Sequence, residues 1–299
     1  MRQTPHADIA IIGGSGLYQL EGMERIRKVR RSTPFGQPSD DIVLGNLGKS
    51  VVAFLARHGR GHRLPPTAIN YRANIYALKA LGVTRIFSVS AVGSMKESIK
   101  PGDLVLPDQF IDRTMQRKRT FFDQGVVAHI PFADPICSMV SNVLWKASQE
   151  VGETVHRPGT YVCIEGPQFS TRAESLLYRR WNADVIGMTN IPEANLAREA
   201  EICYATLALV TDYDCWHDTE ESVSVEAILS IMKQNVEVAK RVLRKALDLA
   251  QGLPRCSCHS ALRHAVITSP DAITPTLRNR YRVLLHQYLP PKKTKKGST

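Results

Sequence analysis

No uninterrupted apolar stretch of this chain approaches the roughly 18 residues of a membrane helix, and Met1 does not open a charged segment followed by an apolar core, as a signal peptide would. These absences predict a soluble, cytoplasmic protein with no membrane partner. Cysteine is scarce. Six residues, at positions 137, 163, 203, 215, 256 and 258 of 299, are too scattered for a disulfide framework. Cys163 and Cys203 stand in apolar runs and read as small core residues. The pair in Cys256-Ser-Cys-His259 lacks a second cluster to complete four zinc ligands, so no metal is expected. Internal repeats are absent, and low complexity is confined to residues 292 to 296.

Acidic residues are nearly missing from one region. Between 252 and 299 nine Arg or Lys face a single acid, which places +8 of the formal +11 there and leaves +3 for the body. A basic chain suggests nucleic acid, but this distribution argues against it as the partner.

What remains is enough for a full core, since 43% of the residues are hydrophobic. Short buried segments alternate with helical patterns. Strand-like runs at 8–13, 42–47, 50–56, 84–90, 160–164 and 184–188 are interleaved with helical spacing at 71–81, 135–151, 172–182, 192–201 and 225–250. The two runs meeting at Gly48 form a hairpin, and the polar, basic stretch 112–124 reads as a mobile surface loop. The pattern predicts an α/β fold: one domain, residues 1–251, with a central mixed, mostly parallel sheet flanked by helices. Residues 252–299 form a basic C-terminal extension with a short helix near 276–287 and a disordered end.

The longest apolar run, from Ile202 to Thr211, delivers Asp212 and Asp214. A strand buried on both faces opens its carboxyl end into a crevice, the usual ligand position in such sheets. If strand geometry persists, the two acids point the same way. Adjacent half-buried carboxylates raise each other's proton affinity, which suits donation to a leaving group.

Other strand ends offer anion donors. Gly13-Gly-Ser15-Gly16 presents backbone amides and a hydroxyl, although it lacks a P-loop lysine and the G-x-G-x-x-G of a dinucleotide site. Arg57 supplies a guanidinium suited to bidentate oxyanion binding, and His58 an imidazole able to donate to the same anion. Ser90, Ala91 and Thr189 add hydroxyls and amides at two further ends. Phe169 could stack on a planar base, though a turn phenylalanine is more often a packing residue.

The segments Ile-Ile-Gly-Gly-Ser-Gly, Ala-Arg-His-Gly, Ile-Asp-Arg-Thr, Ile-Glu-Gly-Pro, Gly-Met-Thr and Thr-Asp-Tyr-Asp-Cys-Trp occur in this order. Over about residues 8 to 250 the chain resembles the 5′-methylthioadenosine phosphorylase branch of the purine nucleoside phosphorylases. The resemblance implies phosphorolysis of 5′-methylthioadenosine to adenine and 5-methylthioribose 1-phosphate. A 6-oxopurine nucleoside or 5′-methylthioinosine phosphorylase is the alternative. Inorganic phosphate is then a co-substrate, and no cofactor is needed.

The same resemblance assigns phosphate to Ser15, Arg57, His58, Ser90, Ala91 and Thr189, and the ribose to Met188. It assigns the purine to Phe169, Ser170, Asp212 and Asp214, with Asp212 the proton donor to N7 and Asp214 receiving from the exocyclic amine. Val223, Val225 and Ile228 line the alkylthio end. His129 is lent to the neighbouring subunit's site, which implies a homotrimer or a dimer of trimers. Relatives acting on 6-oxopurines carry asparagine in place of the aspartate. Ser15 stands where many members have threonine, and residues 252–299 depart from the shorter animal-type ending. Cys256 and Cys258 are similar to a pair bridged in some heat-adapted members; in a reducing cytoplasm they are expected to stay dithiol.

Overall fold

Apolar runs too short for helices become the inner strands of one sheet. In chain order the strands are β1 (Ile9–Gly13), β2 (Glu24–Val29), β3 (Ile42–Leu47), β4 (Ser50–Ala56), β5 (Arg85–Ser94), β6 (Leu104–Val105), β7 (Gln109–Arg113), β8 (Val155–His156), β9 (Thr160–Ile164), β10 (Val185–Gly187) and β11 (Cys203–Asp212). The helices are α1 (Tyr71–Ala80), α2 (Ser138–Val151), α3 (Arg172–Arg180), α4 (Glu193–Glu199), α5 (Val225–Leu249), α6 (Pro275–Arg280) and α7 (Arg282–Leu285). The computed structural model describes residues 5–14, 17, 22–48, 50–217 and 225–289, excluding the side chains of 225–229. Among them no helix is long and apolar enough to cross a membrane.

The sheet runs β2-β3-β4-β1-β5-β10-β9-β7, while β11 lies beside β5 and leads to β6 and β8. Strands β4, β1, β5 and β11 pair in parallel, and β2, β3 and β4 are antiparallel. This is the mixed, mostly parallel, helix-flanked sheet that the alternation predicts. β11 is buried at every position but its last, as expected of a strand covered on both faces. β2 had no hydrophobic signal. Its Glu-Arg-Ile-Arg-Lys-Val residues are largely exposed at the sheet edge, where charge discourages further pairing.

Helix ends follow local chemistry. Asn70 opens α1 by accepting from the Ala73 amide, and Thr171 with Glu174 forms a capping box at α3. Gly152 closes α2 at φ +83°, a conformation glycine adopts freely.

The sheet divides at β5. Strand β1 accompanies β5 only as far as Ser88, and β10 takes up that side at Gly93. Between these two points the edge from Val89 to Val92 carries no described strand, and a crevice opens there.

Two expectations need correction. The stretch 112–124 is a surface loop only in part: Met115 is 86% exposed, but Arg117 is 8% exposed and Phe121 0%. The Arg117 guanidinium donates to the carbonyls of Glu165, Met188 and Ile191 at 2.7, 2.7 and 2.6 Å, tying the ends of β9 and β10 together. The helix near 276–287 is two helices that meet at Tyr281, whose buried ring sends its hydroxyl to the Gln124 carbonyl at 2.9 Å.

The segment after residue 252 packs into the body, with Leu262, Tyr281, Leu284 and Leu285 in the main core. Its expected disordered end, from 290 onward, lies outside the described residues. The missing second cysteine cluster is also corrected, because folding brings Cys137 and Cys203 to Cys256 and Cys258.

Candidate active site

A cleft of about 560 Å³ occupies the division of the sheet. Its walls bring together Arg57, His58, Ser90, Ala91, Phe169, Met188, Thr189, Asp212 and Asp214 from five separate chain segments. Ser15 and Val223 lie outside the described residues, as do the side chains of Val225 and Ile228. Ser170 is not a wall residue; its hydroxyl oxygen is buried without a hydrogen-bond partner among the described residues. His129 is exposed away from its own cleft, its amide bound to the Ala265 carbonyl at 2.8 Å.

The two aspartates meet, but not by simple alternation. β11 bulges at Thr211, so that Val210 faces Val92 and Asp212 faces Gly93. The chain then leaves the sheet, and Asp214 adopts the left-handed conformation at φ +52°. One Asp212 oxygen accepts the Asp214 amide at 2.8 Å and the other accepts the Thr211 hydroxyl at 2.6 Å. Burial, reinforced by the Asp212 charge, raises the proton affinity of Asp214 above the usual aspartate range. Gly93 permits this packing: a Cβ there would stand 2.9 Å from an Asp212 oxygen and 3.3 Å from the Asp214 Cβ.

The basic end differs in detail from expectation. The side chains of Arg57 and Glu193 are each 1% exposed and paired through two bonds of 2.8 and 2.9 Å. Arg57 also donates to the Val89 carbonyl at 2.8 Å and to the Ser88 hydroxyl at 2.6 Å. Four of its five N–H donors are therefore occupied. Its bidentate edge belongs to Glu193, and one Nη1 hydrogen remains for a ligand. Burial works against the Arg57 charge, but the Glu193 carboxylate outweighs it and raises the guanidinium's proton affinity.

His58 Nδ1 lies 2.9 Å from the Leu64 carbonyl, which requires that nitrogen to donate. Burial and then the Arg57 charge push the imidazole down to about 4. With Nδ1 donating, the neutral ring presents Nε2 as an acceptor, and donation to an anion from Nε2 needs a second ring proton. Beside it, the Ser90 hydroxyl sits 3.0 Å from that of Thr189. Either hydroxyl can rotate toward a bound oxyanion.

Sequence reasoning missed the supports. Glu193 lies in the first turn of a helix whose amphipathic pattern gave no sign of a buried acid, and it also accepts from the Ser88 and Tyr204 hydroxyls. Arg117 was hidden among neighbouring basic residues. Met232, Asn235 and Val236 of α5 line the cleft, one turn beyond the residues expected there.

The whole arrangement offers hydroxyls, amides and one guanidinium hydrogen to an anion, with a pair of half-buried carboxyl groups on another wall. The model of the phosphorylase superfamily matches residues 8–248. The chain is 58% identical over 282 residues to S-methyl-5′-thioadenosine phosphorylase of Geobacter sulfurreducens, covering 94% of this chain and 99% of that one. Among solved structures, a methylthioadenosine phosphorylase from an antarctic soil metagenomic library superposes with a TM-score of 0.91 at 54% identity, over 94% of this chain and 99% of that one. Methylthioadenosine phosphorylase from Schistosoma mansoni in complex with adenine gives 0.79 at 36% identity, over 86% and 96%.

Proposed function

The chain belongs to the phosphorylase superfamily, and from that we propose that it cleaves the N-glycosidic bond of 5′-methylthioadenosine with inorganic phosphate. It is a pentosyltransferase releasing adenine and 5-methylthioribose 1-phosphate, a reaction that returns purine and the methylthio sugar to salvage. Its relatives at 58% and 53% identity carry the name of that activity. One observation carries the reading: a single cleft at the parting of the sheet joins oxyanion donors to a half-buried aspartate pair.

The chemistry needs an electron-poor, oxocarbenium-like sugar, an anion on one face and a proton or strong hydrogen bond for the departing base on the other. A phosphate oxygen forms the new bond to C1′ as the bond from C1′ to N9 breaks, and the bonding electrons leave with the purine. We assign the phosphate to Ser90, Ala91, Thr189 and the open Nη1 hydrogen of Arg57, with Ser15 from the glycine turn. Neutral His58, its Nδ1 held by the Leu64 carbonyl, accepts a hydrogen bond from a phosphate P–OH at Nε2. Met188 lies under the ribose, and Phe169 borders the base. Phosphate is the only small molecule required besides the nucleoside.

Asp212 is assigned to N7 and Asp214 to the exocyclic amine. The proton belongs to the pair rather than to either residue alone. Burial raises the proton affinity of Asp214, and the hydrogen bond from its amide keeps the Asp212 carboxyl aligned with N7. A carboxylate that accepts from the adenine amino group repels the 6-oxygen of hypoxanthine. At the sugar end Met232 and Val236 line the cleft, and Val223, Val225 and Ile228 are assigned to the same alkylthio pocket, an apolar set that favours a methylthio group over a hydroxyl.

Phosphorolysis with methylthioadenosine, adenosine, methylthioinosine and inosine, assayed side by side, tests this reading. Adenine release should require phosphate, and inosine should turn over at least about a hundredfold more slowly than methylthioadenosine. Equal turnover of inosine would favour a 6-oxopurine enzyme.

We further propose a homotrimer, or a dimer of trimers, in which His129 completes the neighbour's alkylthio pocket. A reducing cytoplasm suits the six unpaired thiols. A monomer by light scattering at assay concentration would contradict the shared site.

A further inference from the structure

We infer that Cys137, Cys203, Cys256 and Cys258 form a structural zinc site remote from the cleft. Their four Sγ atoms lie within 4.8 Å of one another. Zinc–thiolate bonds of about 2.3 Å in a tetrahedron set the sulfur atoms about 3.8 Å apart. The separation between Cys137 and Cys256 is 3.8 Å, and that between Cys203 and Cys256 is 3.1 Å. Four soft thiolates in a tetrahedral set select zinc among the divalent ions of the cell.

The ligands come from three parts of the chain. Cys137 precedes α2, Cys203 begins β11, and Cys256 and Cys258 flank the start of a short 3-10 turn, Ser257–Ser260. Chain separations of 119 and 53 residues explain why spacing alone did not reveal the set. Three of the four are buried, while Cys137, Cys256 and Cys258 border a hollow of about 750 Å³ that gives an ion a way in.

The surroundings suit the charge that would develop. Binding displaces four thiol protons and leaves two thiolate charges beyond those the ion neutralises. His259 Nδ1 accepts the Cys256 amide at 3.1 Å, so Nε2 carries the hydrogen, 3.7 Å from the Cys203 sulfur. Arg198 lines the same hollow as three of the cysteines and supplies positive potential there.

The ion would fasten the segment after residue 252 to the amino-terminal end of β11. Ten residues of strand separate that end from Asp212, roughly 30 Å at strand rise, so the role is structural.

The test uses the full chain purified with reductant and zinc, then desalted. Metal analysis should give one zinc per chain, released when a mercurial reagent titrates the thiols in the presence of a chromogenic chelator. The double variant Cys256→Ser/Cys258→Ser should hold less than a tenth of that zinc. Its melting temperature should fall by more than about 5 °C, while kcat/KM at low temperature stays within twofold. Cys163→Ser should keep the full zinc content. An intact mass lower by four hydrogens with no zinc would mean two disulfides and overturn the site. So would four titratable thiols with no metal, or a double variant that retains zinc. The mercurial release on the unaltered chain decides the matter even if the double variant fails to fold.

Discussion

Replacing Asp212 with asparagine lowers kcat/KM for 5′-methylthioadenosine by about 100- to 10,000-fold, the range for losing a positioned acid. Asparagine preserves shape and can still donate a weak hydrogen bond to N7, but it has no proton to give. Its carbonyl can accept the Asp214 amide, while its NH₂ must then face the Thr211 hydroxyl, now at 2.6 Å from the Asp212 oxygen, which can turn to accept. The fold therefore survives. Removing one of the two acids beside the base also lessens the repulsion of a 6-oxygen, so the ratio of inosine to methylthioadenosine turnover rises. Steady-state kinetics on both nucleosides reads both effects together. A variant within threefold of the unaltered enzyme on methylthioadenosine would remove Asp212 from the proton path.

Glu193→Gln has the second large effect, and it acts first on stability. One Glu193 oxygen accepts from Arg57 Nη2 and from the Ser88 and Tyr204 hydroxyls, while the other accepts from Arg57 Nε. Glutamine must place an NH₂ group where one of these donors already points. The guanidinium is left buried, 1% exposed, without its counter-charge. Breaking one side of such a pair costs about 3–5 kcal/mol, and a chain of this size loses roughly 2–4 °C of melting temperature per kcal/mol. A fall of about 10 °C is expected, with a raised KM for phosphate because Arg57 no longer holds its Nη1 hydrogen toward the cleft. A melting temperature unchanged within 2 °C would show that the pair is not what positions the arginine.

Much of this site was visible in the sequence because strand ends announce themselves. The apolar run before Asp212, the Arg57-His58 pair and the Met188-Thr189 pair each follow a segment that can only be a buried strand. What joined them was not visible. The bulge at Thr211 that sets Asp212 against Gly93 depends on register with β5, and register leaves no local mark. Arg117 looked like one of several surface cations until the fold wrapped four carbonyls around it. The bidentate reading of Arg57 failed because its partner, Glu193, lies 136 residues away. His58 reversed its role for a similar reason: the Leu64 carbonyl, six residues on, fixes which nitrogen keeps the hydrogen. Cysteine spacing pointed to core packing, and only long-range folding gathers four thiols.

A crystal grown with methylthioadenosine and sulfate, an unreactive stand-in for phosphate, shows where the base and the oxyanion bind. Purine N7 should lie about 3 Å from an Asp212 carboxyl oxygen, and the oxyanion should reach Ser90 Oγ, Thr189 Oγ1 and Arg57 Nη1 at hydrogen-bond distance. A nucleobase bound away from Asp212 and Asp214, or an oxyanion out of reach of Arg57, would contradict the account.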